Sequence, residues 1–456
     1  MSFVSISSEL RSLIKLAAPV SLAQLSLIGM SATDVLVAGR ASTLDLAGMN
    51  LGANTWHMII LFFMGIGFAT QPLVAKRFGA GDEAGIKHQL HQSLWLGLSL
   101  GVIATFLVLV VAWALQFLDY EIALLNIAQG FLFAISLCAI PMALMPALRG
   151  TLEAMNLTRE VFYVNFTAFL INIPLDYALV NGAYGLPQLG GVGCAWATVI
   201  LMWLAFVVNV FIVKKHSVLQ PRHLLSNLQR PNVETIGDTF KLGLPIGVSI
   251  VIELAMFSGA GIMIAKFGVI EAGAHAVAIV LASMSFMLYT GLGQGVTIRA
   301  AQYLGAGEAD KAWFTVKVGT AFNMLISVFF CIIYIVFTEP LVRLFSNDIE
   351  VINVAVVLLY FGAAFQIVDC LQVAMVCALR AYHDTSSPPK YQFLAFWVFG
   401  LPIGIGLSFY NWWPGLEGAK GMWFAMVVSL SLVGLLLARR LSQHMKQLNL
   451  GQVSPH

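Results

Sequence analysis

Charged residues are scarce in this sequence. Aspartate, glutamate, lysine and arginine together make up 10% of its 456 residues, whereas hydrophobic residues make up 59%. Soluble globular proteins carry about 25% charged residues, so this chain cannot cover a water-facing surface. The net charge of +2 is also too small to indicate a nucleic-acid-binding protein. The mean hydropathy of +0.87 therefore predicts that lipid surrounds most of the chain.

Cysteine is sparse as well, and the motifs of catalysis and of ATP use are missing. The Gly-Ala-Gly turns at 79–81 and 305–307 lack the Lys-Ser ending of a phosphate-binding loop, so ATP is not the expected energy source. No nucleophile–base pair or metal-ligand spacing indicates an enzyme, and no cofactor is expected. His88 and His91 are assigned to a solvated loop. The cysteines lack CxxC spacing and are expected to be buried packing residues: Cys138, Cys194, Cys331, Cys370 and Cys377.

Apolar runs of about 20 residues, the length that crosses a bilayer, recur along the whole chain. Each run must be helical, because lipid offers the backbone no hydrogen-bond partners. With both termini in the cytoplasm, 20 lysines and arginines lie inside and only Arg40, Lys266, Arg343 and Lys420 lie outside. The sequence therefore predicts an all-α polytopic membrane protein with twelve spans, near 13–38, 50–74, 92–117, 122–146, 160–181, 191–213, 242–265, 275–298, 314–337, 350–377, 391–411 and 419–438.

The second half of the chain repeats the first at an offset of 226 residues. Pro19 corresponds to Pro245, and the Gly-Ala-Gly-Asp turn at 79–82 corresponds to Gly-Ala-Gly-Glu at 305–308. Because the offset contains six spans, both halves enter the membrane in the same direction, as in transporters that rock two bundles around a central cavity. The predicted organisation is an N-lobe, a cytoplasmic linker and a C-lobe, over 1–213, 214–240 and 241–456.

Four carboxylates stand inside predicted spans, where a charge is costly and usually has a function. At a rise of about 1.5 Å per residue, Asp34 and Asp176 lie roughly 25 Å or more from the basic residues at the cytoplasmic ends of their spans, in the outer part of the N-lobe. By the same measure Glu253 and Asp369 lie within roughly 20 Å of theirs, near mid-membrane in the C-lobe. The alternative is a set of neutral carboxyl groups that are hydrogen-bonded in the core.

Polar neighbours accompany these carboxylates at helical spacing. Asn165, Asn172 and Asp176 share one helix face, and Gln366 and Gln372 flank Asp369 in the same way. A buried carboxyl can exchange a proton, whereas the same group beside Asn172 and Thr198 oxygens can hold Na⁺, and both interpretations stay open. Lysine and arginine are absent from the middle of the spans, which predicts a negative cavity that prefers cationic substrates.

Pro19 interrupts the hydrogen-bond ladder of the first span. It is interpreted either as a hinge that lets Asp34 change position or as a static kink.

Taken together, these residues resemble the multidrug and toxic compound extrusion (MATE) family, in particular its NorM-type bacterial branch. The resemblance covers essentially the whole chain and includes Lys-Leu-Ala-Ala-Pro-Val at 15–20, Asp34, Asn-Ile-Pro-Leu-Asp at 172–176, and the pair Glu253 and Asp369. It implies two six-span lobes in a V-shaped arrangement. It also implies antiport in the bacterial inner membrane, with cationic hydrophobic drugs and dyes exported in exchange for H⁺ or Na⁺.

The same resemblance assigns roles to individual residues. Asp34 is implied as the proton or sodium site, assisted by Asn172, Asp176 and Thr198. Glu253 and Asp369 resemble a second cation site, in the C-lobe. We expect a monomer without ATP or nucleic acid as a partner. The alternatives are a lipid-linked oligosaccharide flippase of the same superfamily and a cation channel.

Overall fold

The computed structural model describes residues 3–119 and 121–449, and within those ranges the chain forms helices and turns without a strand. Long apolar runs become long helices because only internal hydrogen bonds can satisfy their backbone in lipid. The described α-helices are, in chain order, α1 (Phe3–Ala41), α2 (Thr43–Gly67), α3 (Thr70–Gly79), α4 (Glu83–Ala114), α5 (Ile122–Ser136), α6 (Ala139–Ala154), α7 (Thr158–Asn181), α8 (Gly191–Lys215), α9 (Val233–Ala265), α10 (Val269–Gly305), α11 (Ala309–Val336), α12 (Thr338–Arg343), α13 (Ile349–Ala381), α14 (Ser387–Phe393), α15 (Leu401–Tyr410) and α16 (Ala419–Asn449).

The predicted spans are confirmed as helices. Within the described residues, 11 segments are long and apolar enough to cross a membrane, and the count rises to 12 if α5 and α6, which are bent by 45° at their junction, are taken together as one span. Several helices extend beyond the apolar runs from which they were predicted. For example, α4 begins at Glu83 because the Asp82 side chain caps it, accepting a hydrogen bond of 2.8 Å from the Gly85 N–H.

The described chain divides into two compact units. The N-unit comprises Leu22–Gly247, and the C-unit comprises the described residues up to Ser21 together with those from Val248 onwards. Compared with the predicted lobes, the first half of α1 is grouped with the C-terminal part of the chain. The start of α9 is grouped with the N-terminal part. Both helices therefore pass from one unit into the other, two residues after Pro19 and two residues after Pro245.

Small residues bring helices close together inside each unit. In the N-unit, a Cβ atom at Gly97 of α4 would lie 2.7 Å from the Ala143 carbonyl oxygen of α6. In the C-unit, a Cβ atom at Gly291 of α10 would lie 2.7 Å from the Ser21 Cα of α1. Glycine at such points permits the close backbone approach by which membrane helices gain van der Waals contact. The Gly291 contact also seats the start of α1 within the C-unit.

The segment between α8 and α9 is held against α4 within the N-unit. The buried His91 uses both ring nitrogens: Nε2 lies 2.7 Å from the Leu224 carbonyl oxygen, and Nδ1 accepts the Gln229 N–H at 3.1 Å. Gln92 Oε1 accepts the Asn232 N–H at 2.7 Å. The assignment of His91 to a solvated loop is therefore wrong. It lies on a helix, and its ring satisfies backbone groups of a segment that has little secondary structure of its own.

Replacing His91 by alanine is expected to loosen this segment. Leaving buried backbone groups unpaired costs about 1–3 kcal/mol, so local opening should become roughly tenfold more frequent. Limited trypsin digestion at Arg222 and Arg230 measures that opening, and the Ser217→Ala variant, altered at an exposed position of the same segment, is the control. Equal cleavage rates in His91→Ala and Ser217→Ala would show that His91 does not hold the segment.

Candidate functional site

Two of the predicted carboxylates meet a cysteine inside the N-unit. Asp34 of α1, Asp176 of α7 and Cys194 of α8 each place one polar atom within 4.8 Å of the others. Asp176 is 0% exposed, whereas Asp34 is half-buried and gives the group an opening. The two carboxyl groups lie within hydrogen-bonding reach of each other. Two bare carboxylates repel at that distance, so this arrangement calls for a proton or a cation between them.

Asn172 supplies the amide of this group. Its Nδ2 donates to Asp34 Oδ1 at 3.4 Å, while its own Oδ1 has no hydrogen-bond donor among the described residues. Neither oxygen of Asp176 accepts a hydrogen bond from a described N–H or O–H group. Buried polar atoms nearly always have partners, so three oxygens without donors in one place make this group a candidate site for a proton, a cation or water.

The local structure of α7 explains why these residues converge. Asn165, Asn172 and Asp176 are all buried, as their seven- and four-residue spacing predicts for one helix face. Pro174 stands between the last two and has no N–H, so it leaves a carbonyl of the preceding turn without its helical partner. The polar face and the weakened backbone therefore coincide at the carboxylates.

Thr198 lies on the same helix as Cys194, four residues further along the chain. It is half-buried on α8, and within the described residues no hydrogen bond links its hydroxyl group to Asp34 or Asp176. Cys194, one helical turn earlier, lies against the cluster instead, with its Sγ 3.7 Å from the backbone oxygen of Asp34. Apolar neighbours make Cys194 look like a packing residue. Its four-residue spacing from Thr198 was the signal that could have revealed it.

The half-buried Glu253 and the buried Asp369 belong to a second polar group, in the C-unit. Glu253 Oε2 accepts hydrogen bonds from Gln372 Nε2 at 3.2 Å and from Gln392 Nε2 at 3.1 Å. Asp369 is 1% exposed and interacts electrostatically with Glu253. Among the described residues no donor reaches either oxygen of Asp369, nor Glu253 Oε1 or Gln372 Oε1. Four oxygen atoms of this group therefore lack a donor, and oxygen is the ligand that hard cations prefer.

Further polar residues lie near this second group, and of these only Gln366 was named from the sequence. Ser249 donates a hydrogen bond to Gln392 Oε1, which directs the Gln392 amide nitrogen towards Glu253. Gln366 Oε1 accepts hydrogen bonds from Ser285 Oγ at 2.5 Å and from the Tyr289 hydroxyl at 2.9 Å. Isolated polar residues in apolar runs were the available signal, but only the folded chain shows which of them converge.

The two groups are not copies of each other. Ala260 occupies the position that the 226-residue repeat pairs with Asp34, and it is buried in the apolar core of the C-unit. The structure thus brings together Asp34, Asn172 and Asp176 in one unit, and Glu253 and Asp369 in the other.

Sequence comparisons place the chain among known membrane proteins. The MatE family model matches residues 19–178 and again 245–405, so its two matches begin at the predicted offset of 226 residues. Multidrug resistance protein PmpM of Pseudomonas aeruginosa is 34% identical over 443 residues, which cover 96% of this chain and 92% of PmpM. Multidrug resistance protein NorM of Vibrio cholerae is 31% identical over 440 residues, covering 96% of each chain.

Solved structures show the same fold. The eukaryotic MATE transporter AtDTX14 superposes with a TM-score of 0.86 at 18% identity, over 95% of this chain and 96% of that one. A MOP superfamily transporter from Pyrococcus furiosus, for which a binding pocket of reversed polarity is described, superposes with a TM-score of 0.85 at 16% identity. This second match covers 96% of each chain.

Proposed function

This chain belongs to the MatE family of multidrug efflux transporters, and from that premise we propose that it is a cation-coupled antiporter. It exchanges H⁺ or Na⁺ for cationic, amphipathic drugs and dyes by alternating access. It works as a monomer in a bacterial inner membrane, with both termini in the cytoplasm and without ATP or a cofactor.

The close approach of Asp34 and Asp176 carries this proposal. The Asn172 amide donates to Asp34, and the two carboxyl groups cannot both stay ionised without a positive charge between them. Binding of a proton or Na⁺ therefore stabilises the pair, and loss of that ion leaves two carboxylates that repel each other. An intramembrane site that changes stability with ion occupancy is what ion-coupled transport requires.

The C-unit group is assigned a supporting role in the same cycle. Glu253, Asp369 and Gln372 offer oxygen atoms without donors, which suits Na⁺ or a shared proton as well as a cationic drug. Pro19 is assigned the hinge, because α1 passes from the C-unit into the N-unit two residues beyond it. A proline at that point gives α1 a place to bend without breaking further helical hydrogen bonds.

Reconstituted transport under separate ion gradients tests the proposal. Purified protein in liposomes should drive accumulation of a cationic dye when an opposing H⁺ or Na⁺ gradient is imposed and ATP is absent. Collapsing the effective gradient with an ionophore should stop the accumulation. Dye movement that needs ATP, or that ignores both gradients, would contradict the antiporter assignment.

The same assay assigns a role to the C-unit group. The variants Glu253→Gln and Asp369→Asn should shift the ion dependence of transport, because each removes a charge from the oxygen-rich group. Glu417→Gln, at an exposed position of the C-unit, is the matched control and should behave like the unaltered protein. Unchanged ion dependence in both Glu253→Gln and Asp369→Asn would limit Glu253 and Asp369 to a structural role.

A further inference from the structure

Cys194 adds a sulfur ligand to a pair of carboxylates, and we propose that the N-unit group binds soft divalent cations, with Cd²⁺ and Zn²⁺ as its ligands. Thiolate sulfur favours these metals over Mg²⁺, Ca²⁺ or Na⁺, for which oxygen-only sites suffice. Binding of a soft divalent metal through a thiolate is a different activity from the ion coupling proposed above. Its effect on transport rests on the proposed function of Asp34 and Asp176.

The ligand set is complete within the N-unit. Asp34, Asp176 and Cys194 each contribute one atom, and the three atoms lie within 4.8 Å of one another. Asn172 Oδ1 is buried beside them without a hydrogen-bond donor and can serve as a fourth ligand. Tetrahedral zinc has Zn–S bonds of about 2.3 Å and Zn–O bonds of about 2.0–2.2 Å, so side-chain movements of roughly 1 Å close the shell.

The burial of Asp176 distinguishes this group from a cysteine that merely lies near acidic side chains. The side chain is fully buried, and neither of its oxygens accepts a hydrogen bond from the described residues. Its polar neighbours, Asp34 and Asn172, belong to the same group, so a bound metal takes no partner away from the rest of the fold. No other group of three acidic, histidine or cysteine side chains within residues 3–119 and 121–449 meets the same distance criterion.

Binding exchanges a proton for the metal. As the metal–sulfur bond forms, the Cys194 thiol releases its proton to water, and the half-buried Asp34 side leaves a route for both species. A metal held between Asp34 and Asp176 occupies the same space as the coupling ion. The two cannot be bound together, so Cd²⁺ should block ion-coupled transport.

Titration of the detergent-solubilised, full-length protein with Cd²⁺ tests the site directly. The Cd–thiolate charge-transfer band in the ultraviolet should saturate in the unaltered protein and in Cys138→Ser, which alters another buried cysteine of the N-unit. It should vanish in Cys194→Ser. Asp176→Asn should keep a band but weaken affinity at least about tenfold, since even outer-shell partners of metal sites contribute roughly 10–100-fold.

Retention of the band in Cys194→Ser, or its absence from the unaltered protein, would overturn the proposal. Unchanged Cd²⁺ affinity in Asp176→Asn would do the same even if Cys194→Ser cannot be purified. Mg²⁺ at equal concentration should neither produce the band nor displace Cd²⁺.

A transport arm separates this proposal from the proposed function. Cd²⁺ should inhibit gradient-driven dye transport, and each variant is compared with its own rate before Cd²⁺ is added. A Cd–thiolate band without inhibition would leave the metal site standing and remove ion coupling from the N-unit group. If the protein shows gradient-driven transport but neither the Cd–thiolate band nor inhibition by Cd²⁺, the metal site is contradicted and the antiporter assignment stands.

Discussion

Replacing Asp34 by asparagine is expected to abolish gradient-driven drug efflux while leaving the amount of folded protein in the membrane unchanged. Asparagine has nearly the same shape but can neither exchange a proton nor carry the charge that holds Na⁺. Asparagine is uncharged, so it does not repel the Asp176 carboxylate in any state of the protein. Ion binding at this pair then no longer changes the relative stability of those states, and an ion gradient cannot drive transport. Efflux should fall by more than about tenfold, which corresponds to about 1.4 kcal/mol of lost coupling.

Dye efflux from proteoliposomes measures this effect, with thermal unfolding of the same samples as a check on folding. Asp119→Asn is the matched control, because Asp119 is an exposed carboxylate of the same unit. It should retain full efflux. Efflux by Asp34→Asn at the rate of the control would remove Asp34 from the coupling mechanism.

Replacing Glu9 by alanine is expected to destabilise the C-unit by about 3–5 kcal/mol, the cost of breaking a buried ion pair on one side. Arg299 binds Glu9 through two nitrogens, Nε to Oε1 at 2.5 Å and Nη2 to Oε2 at 2.8 Å. The Thr315 hydroxyl donates to Oε1 at 2.6 Å, and the Tyr303 hydroxyl donates to Oε2 at 3.3 Å. Truncation leaves the guanidinium group of Arg299 without its anion in a largely buried place.

Thermal unfolding in detergent checks this prediction against an exposed ion pair of the same unit. Glu339 and Arg343 also form a salt bridge, but each side chain is 57% exposed. Glu339→Ala should therefore cost only about 0.2–1 kcal/mol. Similar losses of stability in Glu9→Ala and Glu339→Ala would contradict a structural role for the Glu9 network.

The course of the chain through the fold was largely predictable from its sequence. Hydropathy alone locates the spans because lipid imposes one solution, the helix, on any long apolar run. The grouping of helices into units was not predictable in the same way. Nothing in the composition of α1 shows that its residues before Leu22 pack with α10 and α11, since that choice depends on tertiary contacts such as Glu9 with Arg299.

Part of the candidate site could likewise be predicted from the sequence, and part of it could not. Asp34, Asp176, Glu253 and Asp369 could be found from sequence because an intramembrane carboxylate is costly and therefore conspicuous. Their uncharged partners carry no such penalty. From the sequence alone, Cys194 is indistinguishable from an apolar packing residue. Its contact with the carboxylates is apparent only in the folded structure.

The passage of α1 and α9 between the units bears on how the chain is made. The turns of α1 before Leu22 are translated well before Arg299, which lies 290 residues beyond its partner Glu9. The N-unit in turn is incomplete until Gly247 has been made. The first half of α1 therefore cannot pack with its partners until the second half of the chain has been made, and contacts of such long range are slow to form. A chain cut between α8 and α9 should yield two fragments that mature only when both are produced in the same cell.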